Sequence, residues 1–403
     1  MKNKFGWEVK KLDEISWFQE GPGVRNSQYT DDGVKLLNVA NLQDGMIDLS
    51  KSKRYISNEE AYGKYKHFLC DEGDLIIASS GIQVDYLDKK MGFVTNEMLP
   101  LCMNTSTIRF KINIGNNIKY LMYFFKSNVY KNQISRLITG SAQLNYGPSH
   151  LHKIKIPVPP LPTQHQIVSE LDALSEIISK KKQQLEELDK LAQATFYDMF
   201  GDPVTNEKGW ETGSLKNNTT KIGSGATPSG GNQSYKTEGI SLIRSMNVHN
   251  GQFLYKDLAF IDEIQAKQLN NVQIQENDVL INITGASVAR SCIVPKNILP
   301  ARVNQHVSII RVKPSLNFVY VNSLFISHYF QDKLLALGKS NGATREAITK
   351  SQLENLVIPL PPIEIQNDFS KRIESIESQK SLITQSIVEV QQLFDYTMDK
   401  YFV

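Results

Sequence analysis

Several acidic side chains and one histidine pair stand at spacings that could support catalysis. Asp71 and Asp74 precede an apolar segment, and Glu276 and Asp278 precede a matching segment later in the chain. Paired carboxylates can exchange protons with a substrate, but a turn that starts a strand uses the same residue types. The His-Leu-His sequence at 150–152 lacks the ligand spacing of a metal site. A phosphate-binding glycine loop and the tetrapeptide of amino-methyltransferases are also missing from the sequence. These residues are therefore interpreted as structural.

Polar loops that contain Arg, Asn and Gln offer a different chemistry. These side chains can form paired hydrogen bonds with the edges of nucleic-acid bases, and small residues let the backbone approach a phosphate chain. Such loops recur at equivalent points of both halves of the chain, at 21–25, 79–81, 89–90, 104–106 and 140–143, and at 223–229, 244–247, 284–290, 304–306 and 342–345. Ordinary turn chemistry explains each loop alone, whereas the recurrence favours a binding function.

The composition is that of a soluble globular protein with room for two domains. The chain has 403 residues, of which 40% are hydrophobic and 22% charged. Its apolar stretches are shorter than a membrane span, and its first residues lack the apolar region of a signal peptide. Three widely separated cysteines indicate a reducing compartment. We expect a cytoplasmic protein that does not enter a membrane.

The charge is distributed unevenly along the chain. Residues 1–158 and 201–358 carry net charges of +5 and +4, whereas residues 159–200 and 359–403 each carry −3. The basic segments could bind an anion such as nucleic acid. Excesses of this size are also compatible with an ordinary mixed surface, so the charge alone does not decide between the two interpretations.

The sequence contains one long unit written twice. GVKLLNVANLQDG (33–45) corresponds to GISLIRSMNVHNG (239–251), EGDLIIASSG (72–81) to ENDVLINITG (276–285), and IPVPPLPTQ (156–164) to IPLPPIEIQ (358–366). The order is kept, and the offset stays between 200 and 206 residues. Matches in register at nearly one offset indicate a duplicated domain. Within each unit, short Ile- and Val-rich segments predict strands, and a helix of about twelve residues is expected after the last of them.

A long helix is predicted after each Pro-Pro sequence. Thr163 to Phe200 contains neither Gly nor Pro, and apolar residues recur every seven positions there and again from Ile363 to Tyr401. Two such helices with one register favour packing on each other. Because a globular domain precedes each helix, antiparallel pairing would give two heads on one spacer with a pseudo-twofold axis. The predicted fold class is thus α+β, with two tandem recognition domains and an antiparallel coiled coil.

At this level the sequence resembles the specificity subunit of type I restriction-modification enzymes over essentially its whole length. The features that carry the resemblance are the tandem units, the two Pro-Pro-x-x-x-Gln junctions ahead of the helices, the TFYDMFGDP exit from the first helix and the GSGATPS loop at 223–229. The resemblance implies target recognition domains at 1–158 and 201–360, with spacer helices at 159–200 and 361–403. The first domain departs from the second, since it has GPGVRNS where the second has GSGATPS.

This resemblance also implies a function and a set of partners. Such a subunit is not an enzyme; it binds an asymmetric, bipartite double-stranded DNA target and docks two methyltransferase subunits on its helices. These partners carry S-adenosylmethionine, and restriction subunits would add ATP- and Mg-dependent chemistry, so no cofactor is expected in this chain. The residues expected at the DNA are Arg25, Lys89, Lys90, Asn104, Gln143, Ser224, Thr227, Arg244, Asn247, Arg290, Asn304, Gln305 and Arg345.

Three alternatives stay open from the sequence. The chain could be a coiled-coil scaffold whose paired globular domains bind proteins, and binding to DNA that weakens with salt would argue against that function. It could itself be a nuclease or a methyltransferase, which the missing motifs disfavour. It could also serve a system that only methylates DNA, because the nuclease would be encoded by a separate partner gene.

Overall fold

The computed structural model describes residues 2–51, 53–138, 144–228, 231–339 and 346–402. Two residues predicted to contact DNA, Gln143 and Arg345, lie outside these ranges. The chain forms two compact units. Unit 1 consists of Met1–Lys181 together with Ser386–Val403, and unit 2 consists of Lys182–Gln385. Because the last residues of the chain belong to unit 1, unit 2 is the only one of the two that is continuous in sequence.

The first segment of unit 1 contains short strands and helices and continues into the first half of a long helix. Its elements are β1 Glu8–Lys11, α1 Leu12–Ile15, β2 Ser16–Glu20, β3 Val34–Leu37, β4 Leu42–Gln43, β5 Met46–Ile47, β6 Tyr55–Ile56, α2 Asn58–Tyr62, β7 Leu75–Ala78, β8 Ser80–Ile82, β9 Met91–Phe93, β10 Leu101–Met103, β11 Thr107–Ile112, α3 Ile118–Lys126, α4 Asn128–Leu137, β12 Leu144–Asn145, α5 Pro148–Leu151, β13 Lys155–Val158 and α6 Leu161–Phe200.

Unit 2 repeats nearly the same order. Its elements are β14 Thr212–Ser214, β15 Thr219–Ser224, β16 Ile240–Ile243, β17 Val248–His249, β18 Gln252–Phe253, β19 Ala259–Ile261, α7 Glu263–Gln268, β20 Val279–Asn282, β21 Ser291–Ile293, β22 Ala301–Val303, β23 Val307–Val312, α8 Phe318–Ile326, α9 His328–Lys339, α10 Lys350–Glu354, β24 Val357–Pro359 and α11 Ile363–Phe402. The helices α6 and α11 each extend from one unit into the other.

The sheets have the same topology in both units. A four-stranded antiparallel sheet has the order β2-β11-β7-β9 in unit 1 and β15-β23-β20-β21 in unit 2. A three-stranded sheet joins β3 in parallel to β10 and antiparallel to β6, and β16 in the same way to β22 and β19. Both units are therefore α+β, which confirms the predicted duplication and fold class.

Buried ion pairs explain the acidic residues that precede β7 and β20. A side-chain oxygen of Asp74 accepts the Asp71 backbone N–H at 2.8 Å and lies 3.3 Å from the Arg109 guanidinium. Asp278 is fully buried and bonds Arg311 through both carboxylate oxygens, at 2.7 and 2.8 Å. These carboxylates shape the turn and neutralise an arginine of the neighbouring strand, which is a structural role.

The helix expected after the last strand of each sheet is divided into two shorter helices. In unit 1, α3 ends at Lys126 and α4 begins at Asn128. Ser127 between them has an extended backbone, and its hydroxyl accepts the Tyr130 N–H at 3.3 Å. Ser327, which is also extended, separates α8 from α9. An extended serine therefore divides what the hydrophobic period presents as one helix, and in unit 1 it also caps the second helix.

The Pro-Pro-x-x-x-Gln junctions are fixed by their buried glutamines. Gln164 accepts the Asn117 backbone N–H at 2.8 Å and donates to the Pro159 carbonyl at 2.9 Å. Gln366 makes the same pair of bonds, at 2.8 Å to the N–H of residue 317 and at 2.7 Å to the carbonyl of residue 361. One glutamine thus joins the start of the long helix to the helix pair of its own unit and to the proline turn.

In unit 2 the two long helices pack in opposite directions. Lys380 of α11 forms an ion pair with Asp189 of α6 at 2.7 Å. Nearer the end of α6, the rings of Phe200 and Phe369 lie 5.1 Å apart. Residue numbers that rise along α6 therefore meet numbers that fall along α11, as antiparallel pairing requires.

In unit 1 the end of α11 completes the core. Phe402 is buried, and its ring centroid lies 5.1 Å from that of Tyr120 in α3. The Tyr401 hydroxyl donates to Glu170 of α6 at 2.7 Å. The apolar residues that recur every seven positions in the two long helices are buried or half-buried in both units. No helix in the described part of the chain is long and apolar enough to cross a membrane.

Candidate nucleic-acid interface

A glycine in each unit lets a polar loop lie directly on the sheet. A Cβ atom on Gly225 would overlap the carbonyl oxygen of Val303, and one on Gly21 would overlap that of Asn104. The Gly225 N–H donates to the Asn304 carbonyl at 3.1 Å. Only glycine permits this approach. It brings the loops at 21–25 and 223–228 beside the loops that follow β10 and β22.

Polar loops of unit 2 surround an open cavity of about 610 Å³. We call it the unit 2 cavity. Its walls come from the turn after β16, the end of β17, the segment between β20 and β21, the turn after β22 and residues 346–347. Its polar and charged lining residues are Ser245, His249, Thr284, Ser287, Arg290, His306 and Glu346. Three of the polar loops predicted from the sequence of the second half therefore meet at one site.

A chain of hydrogen bonds connects the loops around this cavity. The Thr227 hydroxyl donates to Oε1 of Gln305. Nε2 of Gln305 lies 3.1 Å from Nε2 of His306, and Nδ1 of His306 lies 2.5 Å from Oγ1 of Thr284. Four side chains from three loops are thus fixed relative to one another. Gln305 itself is exposed, so part of its amide is available to a ligand.

Three predicted contact residues, Asn104, Asn247 and Asn304, are buried. Asn247 accepts the Arg244 N–H at 3.1 Å and donates to the carbonyl of residue 254 at 2.9 Å. Asn104 accepts the Val24 N–H at 3.3 Å, and Oδ1 of Asn304 accepts the N–H of residue 306 at 3.0 Å. Since these amides are bonded within the protein, their burial argues against direct base contact and for a role in holding the loops.

The remaining predicted residues of unit 2 differ in how far their side chains are bonded within the protein. Arg244 is half-buried, donates to the Asp257 carbonyl and has its guanidinium 5.4 Å from the ring centre of Tyr235. Ser224 is half-buried at the end of β15. The Arg290 side chain lines the unit 2 cavity and forms no hydrogen bond or ion pair with the described residues. Arg290 is therefore the most available cation of this group.

In unit 1 the predicted residues are more dispersed. Arg25 is exposed beside the glycine loop, and Lys89 is exposed with its ammonium 5.5 Å from the ring centre of Tyr86. Lys90 is half-buried and donates to the Leu42 carbonyl at 2.9 Å. Lys90 therefore supports its own loop, while Arg25 and Lys89 present their charges to solvent.

The sequence did not single out His249 and Glu346, which also line the unit 2 cavity. The available signal was the repeat itself. His249 occupies the position of Gln43 in the first copy, so the two copies differ in a polar residue at an otherwise similar turn. The described residues contain no group of three or more side chains arranged to hold a metal ion.

Three histidines in the described part of the chain are bonded within the protein. His306 is bonded to a threonine and a glutamine, whereas His150 accepts a backbone N–H and His152 pairs with Asp13 at 2.7 Å in unit 1. What the loops of unit 2 present is an exposed amide, an arginine and hydroxyl groups. This is a hydrogen-bonding surface suited to base edges and phosphates.

Both halves of the chain are similar to one known protein domain. The model of the type I restriction modification DNA specificity domain matches residues 5–190 and again residues 207–392. The MjaIX specificity subunit of a type I restriction enzyme from Methanocaldococcus jannaschii is 23% identical over 396 residues, which cover 92% of this chain and 86% of the relative.

Solved structures share the fold over the entire chain. One, from work on complex assembly and conformational transition of the type I R-M system, has a TM-score of 0.62, is 20% identical and covers 100% of this chain and 99% of its own. The S subunit of M. genitalium has a TM-score of 0.57 at 14% identity, with coverage of 100% and 98%.

The two domain matches include most of the sequence, and each begins in one copy of the repeat and extends into the long helix after it. Members of this family recognise the DNA target and are not the catalytic subunits. The chain belongs to the type I restriction-modification DNA specificity family, of whose domain it carries two copies.

Proposed function

We propose that each globular domain of this chain reads one half of a bipartite, asymmetric DNA sequence. The recognition domains would comprise residues 1–158 and 201–360, and the spacer helices residues 159–200 and 361–403. One comparison between the copies supports the proposal. The buried residues that hold the loops are repeated, as Asn104 and Asn304 are, whereas the exposed positions beside them differ, with Thr105 in unit 1 and Gln305 in unit 2. One scaffold with two sets of exposed side chains suits two different half-sites.

The proposed contacts follow the exposure of the predicted residues. Arg290 and Gln305 would contact base edges from unit 2, and Arg25 would do so from unit 1, because Arg and Gln can each form two hydrogen bonds with a purine. Lys89 would bind a phosphate. Thr227 would act through its bond to the glutamine. The predicted contacts of Gln143 and Arg345 stay predictions.

The long helices would dock two methyltransferase subunits. Support comes from large apolar side chains that each unit leaves exposed on α11: Leu382 at 65% in unit 2, and Leu393 at 50% and Tyr396 at 69% in unit 1. Exposed apolar residues grouped on a helix are typical of protein interaction sites. S-adenosylmethionine would be bound by these partners, and ATP and Mg by restriction subunits. The complex would act in the cytoplasm, where its DNA is found.

The first test is to sequence the host genome by a method that detects methylated bases, with and without this gene. We expect a methylated bipartite motif that disappears on deletion and returns when the gene is restored. That result would give both half-sites at once. If the methylated motifs are the same in both strains while this gene and the methyltransferase gene are expressed, the chain does not direct methylation, and a protein-binding scaffold becomes the better explanation.

A matched pair of variants tests the site within unit 2. Arg290→Gln removes a charge from the unit 2 cavity, and Lys216→Gln removes one from an exposed side chain between β14 and β15 in the same unit. Losing a bidentate contact should cost about 1–3 kcal/mol of base discrimination. We expect the first variant to relax one position of one half-site, and the second to leave the methylated motif unchanged. Equal effects of the two variants would indicate a general charge effect.

A further inference from the structure

We infer that His306 is a positioning residue that orients the amide of Gln305, and that Gln305 thereby reads an adenine in the half-site of unit 2. The inference rests on the proposed function. It concerns the hydrogen-bond network of four side chains described above, from Thr227 to Thr284. Each hydrogen bond in this network has a donor and an acceptor, and the imidazole ring links the direction of one bond to that of the next.

The direction of each hydrogen bond in the network follows from the chemistry of the groups that it joins. An amide nitrogen only donates, so Nε2 of His306, at 3.1 Å from Nε2 of Gln305, must accept. The other ring nitrogen, Nδ1, then donates to the Thr284 oxygen at 2.5 Å. At the other end of the amide, Oε1 of Gln305 accepts from Thr227. Both ends of the glutamine amide are fixed by partners.

This arrangement leaves the amide with one free donor and one free acceptor. A primary amide has two N–H groups and two oxygen lone pairs. The hydrogen-bond network uses one N–H and one lone pair. Because Gln305 is exposed, the free N–H and the free lone pair can meet a base. Adenine presents an N7 acceptor and an N6 donor in the major groove, which is the pair that glutamine matches.

Unit 1 carries different residues at these two positions, which makes it an internal control. In the repeat, Thr105 and Ser106 stand at the positions of Gln305 and His306. The half-site read by unit 1 should therefore keep its base preferences when Gln305 or His306 is replaced. The difference also suggests a variant, His306→Ser, that copies the residue of unit 1.

The experiment is a selection of binding sequences by the full-length chain from a random-sequence DNA duplex library. We expect one position of one half-site to favour adenine by about 5- to 150-fold, the range of a good bidentate contact. Gln305→Ala should lose this preference. His306→Ser should lower it at that position while the other positions of the same half-site keep their preferences, because only the group that orients the amide is removed.

The outcomes separate this inference from the proposed function. If no sequence is enriched, the chain does not read DNA as proposed, and both ideas fail. If both half-sites are enriched but the adenine preference is unchanged in His306→Ser, or survives Gln305→Ala, only the positioning role is refuted. Thr105→Ala should change only the other half-site. A variant that loses both half-sites would indicate misfolding, and would count against a local role of that residue.

Discussion

Removing the ring of Phe402 should destabilise unit 1, although this residue lies at the other end of the sequence. The ring is 1% exposed, and its centroid lies 5.1 Å from Tyr120 and 6.1 Å from Phe124. A buried phenylalanine replaced by alanine costs about 3–5 kcal/mol, since the lost apolar area adds to the cavity left behind. A domain of this size has a free energy of unfolding of about 5–15 kcal/mol, so the loss is a large part of the total.

The assay is hydrogen–deuterium exchange measured on peptides of the whole chain. Core strands exchange through the cooperative opening of their unit, so Phe402→Ala should speed exchange of β11 by about a hundred- to several-thousand-fold. Phe200 provides the matched control, because it is 2% exposed and its ring lies 4.7 Å from Tyr320 in unit 2. Phe200→Ala should instead speed exchange of β23.

The reasoning would be refuted by a particular pattern of protection. If Phe402→Ala left β11 protected and accelerated β23 instead, the end of α11 would not belong to the core of unit 1. If both variants affected both strands equally, the two units would open together, and the division of the chain into separate cooperative units would be wrong.

Three further predictions concern stability and reactivity. Asp278→Asn leaves the Arg311 guanidinium without its buried partner, so urea denaturation should show a loss of about 3–5 kcal/mol; Glu276→Gln, at an exposed side chain in the same turn, should change the midpoint little. Gln366→Leu keeps the volume but leaves the N–H of residue 317 and a proline carbonyl unpaired, which should cost about 1–3 kcal/mol per group in thermal or urea unfolding. Burial raises the pKa of the Cys292 thiol to about 12, so its thiolate fraction near pH 8 should be only about 10⁻⁴; a thiol reagent should label it after unfolding, and rapid labelling of the folded chain would contradict the placement.

The duplication and the long helices could be predicted because their signals are periodic. Matches at nearly one offset indicate the repeat, and a seven-residue period without Gly or Pro indicates the helices. The helices begin at Leu161 and Ile363, each directly after a Pro-Pro sequence. Proline has no backbone N–H and its ring clashes with the preceding turn of a helix, so a helix can begin after a proline but rarely passes through one. The two Pro-Pro sequences therefore mark where the helices begin.

The roles of the loop amides could not be predicted from their type. Asn304 and Gln305 are adjacent and polar, yet the first is 4% exposed and the second is exposed. The difference depends on which partners the fold brings near. Asn104 bonds to Val24, 80 residues earlier in the chain, and sequence periodicity carries no information about such a contact. The packing of α11 with two separate units has the same cause, because its period is alike along its length.

The discontinuity of unit 1 has a consequence for the time course of synthesis. Residues 1–181 leave the ribosome before unit 2, but the segment Ser386–Val403 that completes the core of unit 1 is translated after unit 2. At about 5–20 residues per second, the remaining 222 residues from 182 to 403 take roughly 10 to 45 seconds. Unit 2, continuous in sequence, can finish folding within that interval. Unit 1 begins to be made first but is therefore completed after unit 2. Until then, the rings of Tyr120 and Phe124 lack their contacts with the Phe402 ring.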